Sequence, residues 1–169
     1  MNIRQEAAAD YSYVYNVVKT AFATAEQSDG NEQNLVAALR ESRSFIPELS
    51  LVATVHGEIA GHILFTKAII GEHTELALAP LSVLPAYQKQ GVGMALMTEG
   101  HRIARELGYH YSVVLGHSQY YPKAGYRPAS RFGIRAPFDV PDENFMAIRL
   151  NPAAKPLNGV IVYDPAFGI

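Results

Sequence analysis

The 169-residue sequence contains no cysteine and no tryptophan. Without cysteine, disulfide bonds, thiolate zinc sites and cysteine nucleophiles are excluded. An excess of charge of one sign is also missing, because 14 Lys and Arg nearly balance 16 Asp and Glu, which leaves a formal net charge of −2. This balance disfavours a strongly basic protein that binds nucleic acid, so we expect no nucleic-acid partner.

Long apolar runs are absent as well, since no stretch approaches the roughly 20 apolar residues of a membrane span. Residues Met1–Glu6 lack the apolar centre of a signal peptide. We therefore expect a soluble, cytoplasmic protein with no membrane partner. The histidines show no spacing of the His-Glu-x-x-His kind, so we expect no metal. Hydrophobic residues make up 49% of the chain, which is enough for a sizeable core in one domain.

Apolar periodicity in the first half of the chain predicts a strand, two helices and a three-strand meander. The strand contains Ile3, and the helices are predicted to be capped by Asp10 and Asn31. The meander runs over 49–84, with a tight hairpin turn at Gly57-Glu58.

The second half of the chain adds a helix and further strands. The helix begins near Val92 and ends at Gly108, with an apolar stripe that includes Ile103 and Leu107. The strand–helix–strand unit over 75–115 predicts a right-handed crossover between two parallel strands. We expect an α/β fold with a mixed sheet. We also expect one domain over 1–169, in which 151–169 is a C-terminal extension that adds a strand or pairs with a second subunit.

A proline and a glycine-rich turn mark the junction between the last meander strand and the helix. Pro80 cannot donate to a sheet ladder, so it predicts an edge or a bulge that opens a gap in the sheet. The turn Gln88–Gly93 precedes the helix, whose first amides lack internal partners and bind anions. A phosphate-binding P-loop is excluded because its pattern of Gly, four residues and then Gly-Lys-Ser/Thr is absent. A dinucleotide fingerprint is excluded because Leu96 stands at the third glycine position.

Two sequence blocks carry a resemblance to a known family. Gln88-Lys89-Gln90-Gly91-Val92-Gly93, led in by Val83-Leu84-Pro85, resembles motif A of the GNAT superfamily of N-acetyltransferases. The segment Leu115–Tyr126 resembles the second conserved block of that family, with Tyr126 at the usual phenylalanine position. The blocks stand in the right order about 30 residues apart, which is more specific than either alone. The strand Ala79–Val83 and the C-terminal extension resemble the YhbS-like branch.

The resemblance implies the GNAT fold, in which a central mixed, mostly antiparallel twisted sheet is flanked by helices. Splayed strands of that sheet form a cleft for CoA. Acetyl-CoA is thus implied as co-substrate, with its pyrophosphate on the amides of the turn and its pantetheine arm along the preceding strand. The implied cofactor-binding residues are Leu81, Ser82, Val83, Gln88, Lys89, Gln90, Gly91, Val92, Gly93 and Met94.

The implied reaction moves an acetyl group from the thioester directly to a primary amine of a small molecule or peptide. Tyr121 matches the family's tyrosine and is the predicted general acid for the departing thiolate. Glu32 is a candidate to bind or deprotonate the acceptor, with Glu75, His117 or ordered water as other routes for the proton. The first two helices and the loop Arg131–Asp142 are expected to select the acceptor. The alternative is a non-catalytic acyl-CoA sensor, and a homodimer is possible.

Overall fold

The structure is a computed structural model in which residues 1–26 and 28–169 are described. Its helices and strands, in chain order, are β1 (Asn2–Gln5), α1 (Tyr11–Phe22), α2 (Glu32–Arg40), β2 (Phe45–Val55), β3 (Glu58–Ile70), β4 (His73–Val83), α3 (Val92–Glu106), β5 (Tyr111–Leu115), β6 (Arg127–Pro128), β7 (Ile134–Arg135), β8 (Phe145–Arg149) and β9 (Gly159–Val162). Short 3-10 helices lie in several of the connections.

One mixed sheet organises these strands in the order β1-β2-β3-β4-β5-β8-β6. Along this path β4 and β5 are parallel and every other pair is antiparallel. The predicted α/β class and the predicted parallel pairing across the α3 crossover are confirmed. The C-terminal strand β9 pairs with β3 and, in parallel, with β7.

Helices cover both faces of the sheet because apolar side chains alternate along its central strands. Leu64 of β3 packs in a cluster with α1 and α2, whereas its neighbours Ile63 and Phe65 pack in a cluster with α3. The apolar cores on the two faces of the sheet are thus both built on β3, the neighbour of β4.

The apolar stripe of α3 differs from the one predicted. Val92 and Leu96 are buried as expected, but Leu107 is 43% exposed. The buried face instead passes through Gly100, whose missing side chain leaves room for the ring of Phe65. This shift follows from the aromatic ring on β3, a long-range contact that helical periodicity does not contain.

Two predicted helix caps are confirmed in position, whereas one predicted turn is wrong by one residue. Asp10 and Asn31 occupy the N-cap positions of α1 and α2, but neither side chain makes a capping hydrogen bond. The carboxylate of Asp10 instead accepts hydrogen bonds from Arg4 at 2.7 and 2.9 Å. The hairpin turn lies one residue earlier than expected, at His56-Gly57, where both residues have positive φ.

A buried polar cluster ties β1 to the end of α2. Arg40 donates two hydrogen bonds to the carboxylate of Glu6, at 3.0 and 2.7 Å, and the Glu6 side chain is only 1% exposed. The Ser50 hydroxyl donates to the same carboxylate and lies 3.0 Å from Nε2 of His62. Since a buried charge is tolerated only when it is paired and hydrogen-bonded, this cluster depends on each of its members.

A second buried histidine makes stability depend on pH. Burial, with a smaller contribution from Arg105, lowers the pKa of His101 from 6.5 to about 4. Between those pH values the unfolded chain binds a proton that the folded chain does not, so the free energy of unfolding falls as the pH falls. We expect His101 to account for about 3 kcal/mol of this loss by pH 4, at roughly 1.4 kcal/mol per pKa unit. His62, whose pKa burial also lowers to about 4, adds to it.

Urea denaturation between pH 6.5 and pH 4 measures this dependence. His101→Gln keeps a hydrogen-bonding group near the Tyr126 hydroxyl, which lies 3.0 Å from Nε2 of His101, and should flatten the pH dependence. His73→Gln, at the exposed start of β4, is the control. A pH dependence that is the same in His101→Gln and in the wild type would contradict this account.

Within the described residues, no helix has both the length and the apolar character that a membrane crossing requires.

Candidate active site

A cleft opens in the sheet where β4 and β5 separate. These strands pair over Leu76–Ala77 and Ser112–Val113 and diverge beyond that point. There, the single residue Leu64 of β3 faces two residues of β4, Ala79 and Pro80. This extra residue is a β-bulge, as the proline predicted, and it marks the beginning of the gap.

Beyond the bulge, part of the β4 backbone points toward the cleft. The Leu84 amide donates to the Ala60 carbonyl of the β3 side at 2.8 Å. Because hydrogen-bonded residues alternate along an antiparallel pair, the backbone groups of Leu81 and Val83 point away from β3, toward the gap. Ser82 lies between them and directs its backbone to β3.

The turn between β4 and α3 presents the amino end of the helix. Gln88 Nε2 donates to the Val83 carbonyl at 3.1 Å and so fastens the turn to the end of β4. Lys89 and Gly91 have positive φ, 62° and 84°. The first hydrogen bond of α3 runs from the Ala95 amide to the Gly91 carbonyl at 3.0 Å, so the preceding amides have no partner in the helix. Such a helix end attracts anions.

Two glycines allow aromatic side chains to pack against the backbone around the cleft. A side chain at Gly93, in the first turn of α3, would collide with the Tyr120 hydroxyl. A side chain at Gly116, just after β5, would collide with the ring of Tyr121. Each tyrosine therefore packs directly against the backbone of a glycine.

Tyr121 begins a short 3-10 helix and is held by aromatic contacts on two sides. Its ring meets those of Tyr120 and Tyr126 edge-on, with centroids 5.1 and 5.8 Å apart. Burial, and to a lesser extent Tyr120, raises the pKa of Tyr121 well above its ordinary value of 10. The phenol is therefore protonated at neutral pH, which is the form that a proton donor requires.

A cavity of about 670 Å³ fills the gap on the side of α1 and α2. It brings together the bulge at Pro80, the Leu81 segment of β4, Tyr121, and Glu32 at the start of α2. The remaining wall is largely apolar. It consists of Phe22, Ala25, Glu26, Ser28, Leu35, Leu78, Ala79, Val114, Leu115, Gly116 and His117.

Glu32 carries an unpartnered carboxylate oxygen beside this cavity. The Ser28 hydroxyl donates a hydrogen bond to its Oε1. Its Oε2 is shielded from solvent and makes no hydrogen bond within the described part of the chain. Because a shielded carboxylate oxygen without a donor is unfavourable, this side chain is suited to an ammonium or amine ligand.

The other two candidates for the base differ in position. Glu75 lies at the opposite end of β4, where its Oε1 accepts from the amides of His110 and Tyr111 at 2.8 and 3.2 Å. It stabilises the start of β5 and does not line the cavity, so the interpretation of Glu75 as a base is wrong. His117 does line the cavity, although its side chain is exposed.

Sequence reasoning did not single out Glu26, a second carboxylate of the cavity wall. The one feature of the sequence that could have indicated a role for Glu26 is its place in the polar loop after α1. Among the described residues, no cluster of three or more metal-ligating His, Asp or Glu side chains occurs.

Comparison with known proteins gives consistent results. The model of the acetyltransferase (GNAT) family matches residues 12–126. The uncharacterized N-acetyltransferase YjhQ of Escherichia coli K12 is 39% identical over 141 residues, which cover 80% of this chain and 75% of YjhQ. The uncharacterized N-acetyltransferase YhbS of the same organism is 32% identical over 171 residues, which cover 99% of this chain and 98% of YhbS.

Two solved structures share the architecture over nearly the whole chain. The crystal structure of Escherichia coli YhbS in complex with CoA has a TM-score of 0.89 at 27% identity and covers 99% of this chain and 92% of that one. A GNAT family acetyltransferase of Brucella melitensis in complex with acetyl-CoA has a TM-score of 0.81 at 30% identity. That alignment covers 98% of this chain and 97% of the other.

Proposed function

This chain belongs to the acetyltransferase (GNAT) family, and we propose that it moves the acetyl group of acetyl-CoA directly to a primary amine in the cleft between β4 and β5. The observation that carries this proposal is the single cavity that joins Tyr121, Leu81 and Glu32 at the bulge. Proton donor, open strand backbone and carboxylate converge there, as direct transfer without a covalent enzyme intermediate requires.

We propose that the cofactor lies along β4 and across the amino end of α3. The open backbone edge of β4 and the unpartnered amides of the turn fit a peptide-like arm that ends in a pyrophosphate. The residues proposed to hold it are Leu81, Ser82, Val83, Gln88, Lys89, Gln90, Gly91, Val92, Gly93 and Met94. Bound acetyl-CoA supplies an activated acyl thioester.

Three polar groups are proposed to act on the acyl oxygen, the departing sulfur and the incoming amine. The Leu81 amide, directed to the gap, can donate to an acyl oxygen and stabilise negative charge that develops on it. Tyr121 donates its phenolic proton to the departing thiolate. Glu32 accepts hydrogen bonds from the incoming amine and orients its nitrogen toward the cleft. As the C–N bond forms and the C–S bond breaks, the nitrogen loses a proton to water, and water returns a proton to the Tyr121 phenolate.

The first test of this proposal is binding. Calorimetric titration of the protein with acetyl-CoA should give a dissociation constant in the micromolar range or below, as is usual for enzyme substrates. Absence of binding at millimolar acetyl-CoA would refute the proposed function.

Glu32→Gln is expected to raise KM for the amine acceptor about tenfold or more. The substitution keeps the shape of the side chain but removes the charge from a hydrogen bond worth about 1.5–3 kcal/mol. The dissociation constant for acetyl-CoA should stay unchanged, because Glu32 faces the acceptor side of the cavity. Glu72→Gln, in the exposed turn before β4, is the matched control. An unchanged KM in Glu32→Gln would remove Glu32 from the acceptor site.

A further inference from the structure

We infer that the acceptor is an elongated amine that carries a second positively charged group and no carboxylate next to the reacting nitrogen. This inference rests on the proposed function, because it concerns the acceptor side of the same cavity. It depends on three features: the charges of the cavity wall, a second cavity that shares part of its wall with the first, and the apolar surface of this shared wall, which forms a bridge between the two.

The charges of the first cavity are of one sign. Glu26 and Glu32 are the acidic residues among the described side chains that line it, and no Lys or Arg is among them. A carboxylate on the acceptor, one or two bonds from the amine, would approach Glu32 with no cation to balance it. Because an unpaired charge is unfavourable in a site partly shielded from water, this cavity should bind amino acids poorly.

A second cavity of about 460 Å³ adjoins the first one at the end of β5. The two share Leu115, Gly116 and His117 as common wall. The second cavity is lined in addition by Phe138, Asp139, Val140, Pro141 and Asn144. Its acidic residue, among those described, is Asp139, and again no Lys or Arg lines it.

The bridge between the cavities offers apolar surface. The Gly116 amide donates to the Asn144 carbonyl at 2.9 Å, and the Asn144 side chain donates to the Gly116 carbonyl at 3.1 Å. These backbone groups are therefore already paired, which leaves them little capacity to bind a peptide main chain. Leu115 is 50% exposed at this point, so a ligand that crosses the bridge would meet hydrocarbon.

The first cavity thus has a carboxylate at Glu32, the second has one at Asp139, and the surface between them is apolar. This arrangement matches a chain of methylene groups that carries a cation at each end. The reacting amine would lie against Glu32 and Tyr121, and the second cation would lie near Asp139. The chemical class is thus an aliphatic diamine or polyamine.

Three matched probes test this inference. Cadaverine has two amines on a five-carbon chain, pentylamine lacks the second amine, and lysine adds a carboxylate to cadaverine. We expect kcat/KM for cadaverine to exceed that for acetylation of the α-nitrogen of lysine, which lies next to the carboxylate, by about tenfold or more. The excess over pentylamine should be about threefold, because Asp139 is exposed and exposed ion pairs contribute little.

Substitution at the second cavity gives an independent readout. Asp139→Asn should lower kcat/KM for cadaverine about threefold, as is usual for an exposed ion pair, and bring it closer to that for pentylamine. Asp142→Asn, an exposed aspartate of the same loop that does not line the cavity, is the control and should leave the cadaverine value unchanged.

Three outcomes would overturn the inference while leaving acetyl transfer intact. They are acetylation of the α-nitrogen of lysine as efficient as that of cadaverine, a cadaverine rate that Asp139→Asn does not alter, or acetylation of another class of amine but of none of the three probes. Failure to bind acetyl-CoA, in contrast, would refute the proposed function itself.

Discussion

Replacing Tyr121 by phenylalanine is expected to lower kcat between about a hundredfold and ten-thousandfold, the usual contribution of a positioned acid. The change removes only the hydroxyl, so the ring can still pack on Gly116 and against Tyr120 and Tyr126. Without a proton donor, the thiolate must leave unassisted. The dissociation constant for acetyl-CoA should change less than about threefold, because hydroxyl removal leaves the proposed cofactor contacts in place.

Steady-state kinetics together with calorimetry separate these two quantities. Tyr120→Phe is the matched control, since it removes the hydroxyl of the adjacent ring, and kcat should then fall by less than about tenfold. An unchanged kcat in Tyr121→Phe would exclude this residue as the acid. If wild-type protein binds acetyl-CoA yet acetylates no amine, the alternative of a non-catalytic acyl-CoA sensor would be favoured.

Replacing Glu6 by glutamine is expected to lower the free energy of unfolding by about 3–5 kcal/mol, as is usual when one partner of a buried ion pair is removed. Arg40 would then keep its charge inside the protein, only 10% exposed, without a carboxylate. The neutral amide would also replace the carboxylate that accepts from the Ser50 hydroxyl, which itself lies 3.0 Å from Nε2 of His62.

Urea denaturation measures this loss, and α3 supplies a matched control. Glu99 pairs with Arg102 on the solvent side of the helix, where the Arg102 side chain is 55% exposed. Glu99→Gln should leave stability near that of the wild type, because exposed ion pairs contribute little. Equal losses in the two variants would show that burial is not what makes the Glu6 pair important.

Local chemistry explains why much of the site could be predicted from the sequence. A proline in a strand has few structural options, so Pro80 predicted the bulge that opens the cleft. The glycine-spaced turn and the following helix are contiguous in the chain, and the structure places the turn at the amino end of α3. The motif that contains Tyr121 also carries its own scaffold, because Gly116 and Tyr126, which contact its ring, lie in the same block.

The remaining features depend on contacts between residues far apart in the chain. Glu75 and Glu32 are equivalent carboxylates in the sequence, but one binds the amides that begin β5 and the other faces the cavity. The loop around Asp139 has no periodicity that would place it next to His117. Pairing of β5 with β8 brings these segments together.

The most direct test of the account is whether CoA release and amine acetylation occur together. Wild-type protein is incubated with acetyl-CoA and a carboxylate-free amine, the free thiol is quantified, and the acetylated amine is measured by mass spectrometry. We predict one acetylated amine for each CoA released, and loss of both in Tyr121→Phe. Release of CoA without an acetylated amine, or no release with any amine, would contradict direct acetyl transfer in this cleft.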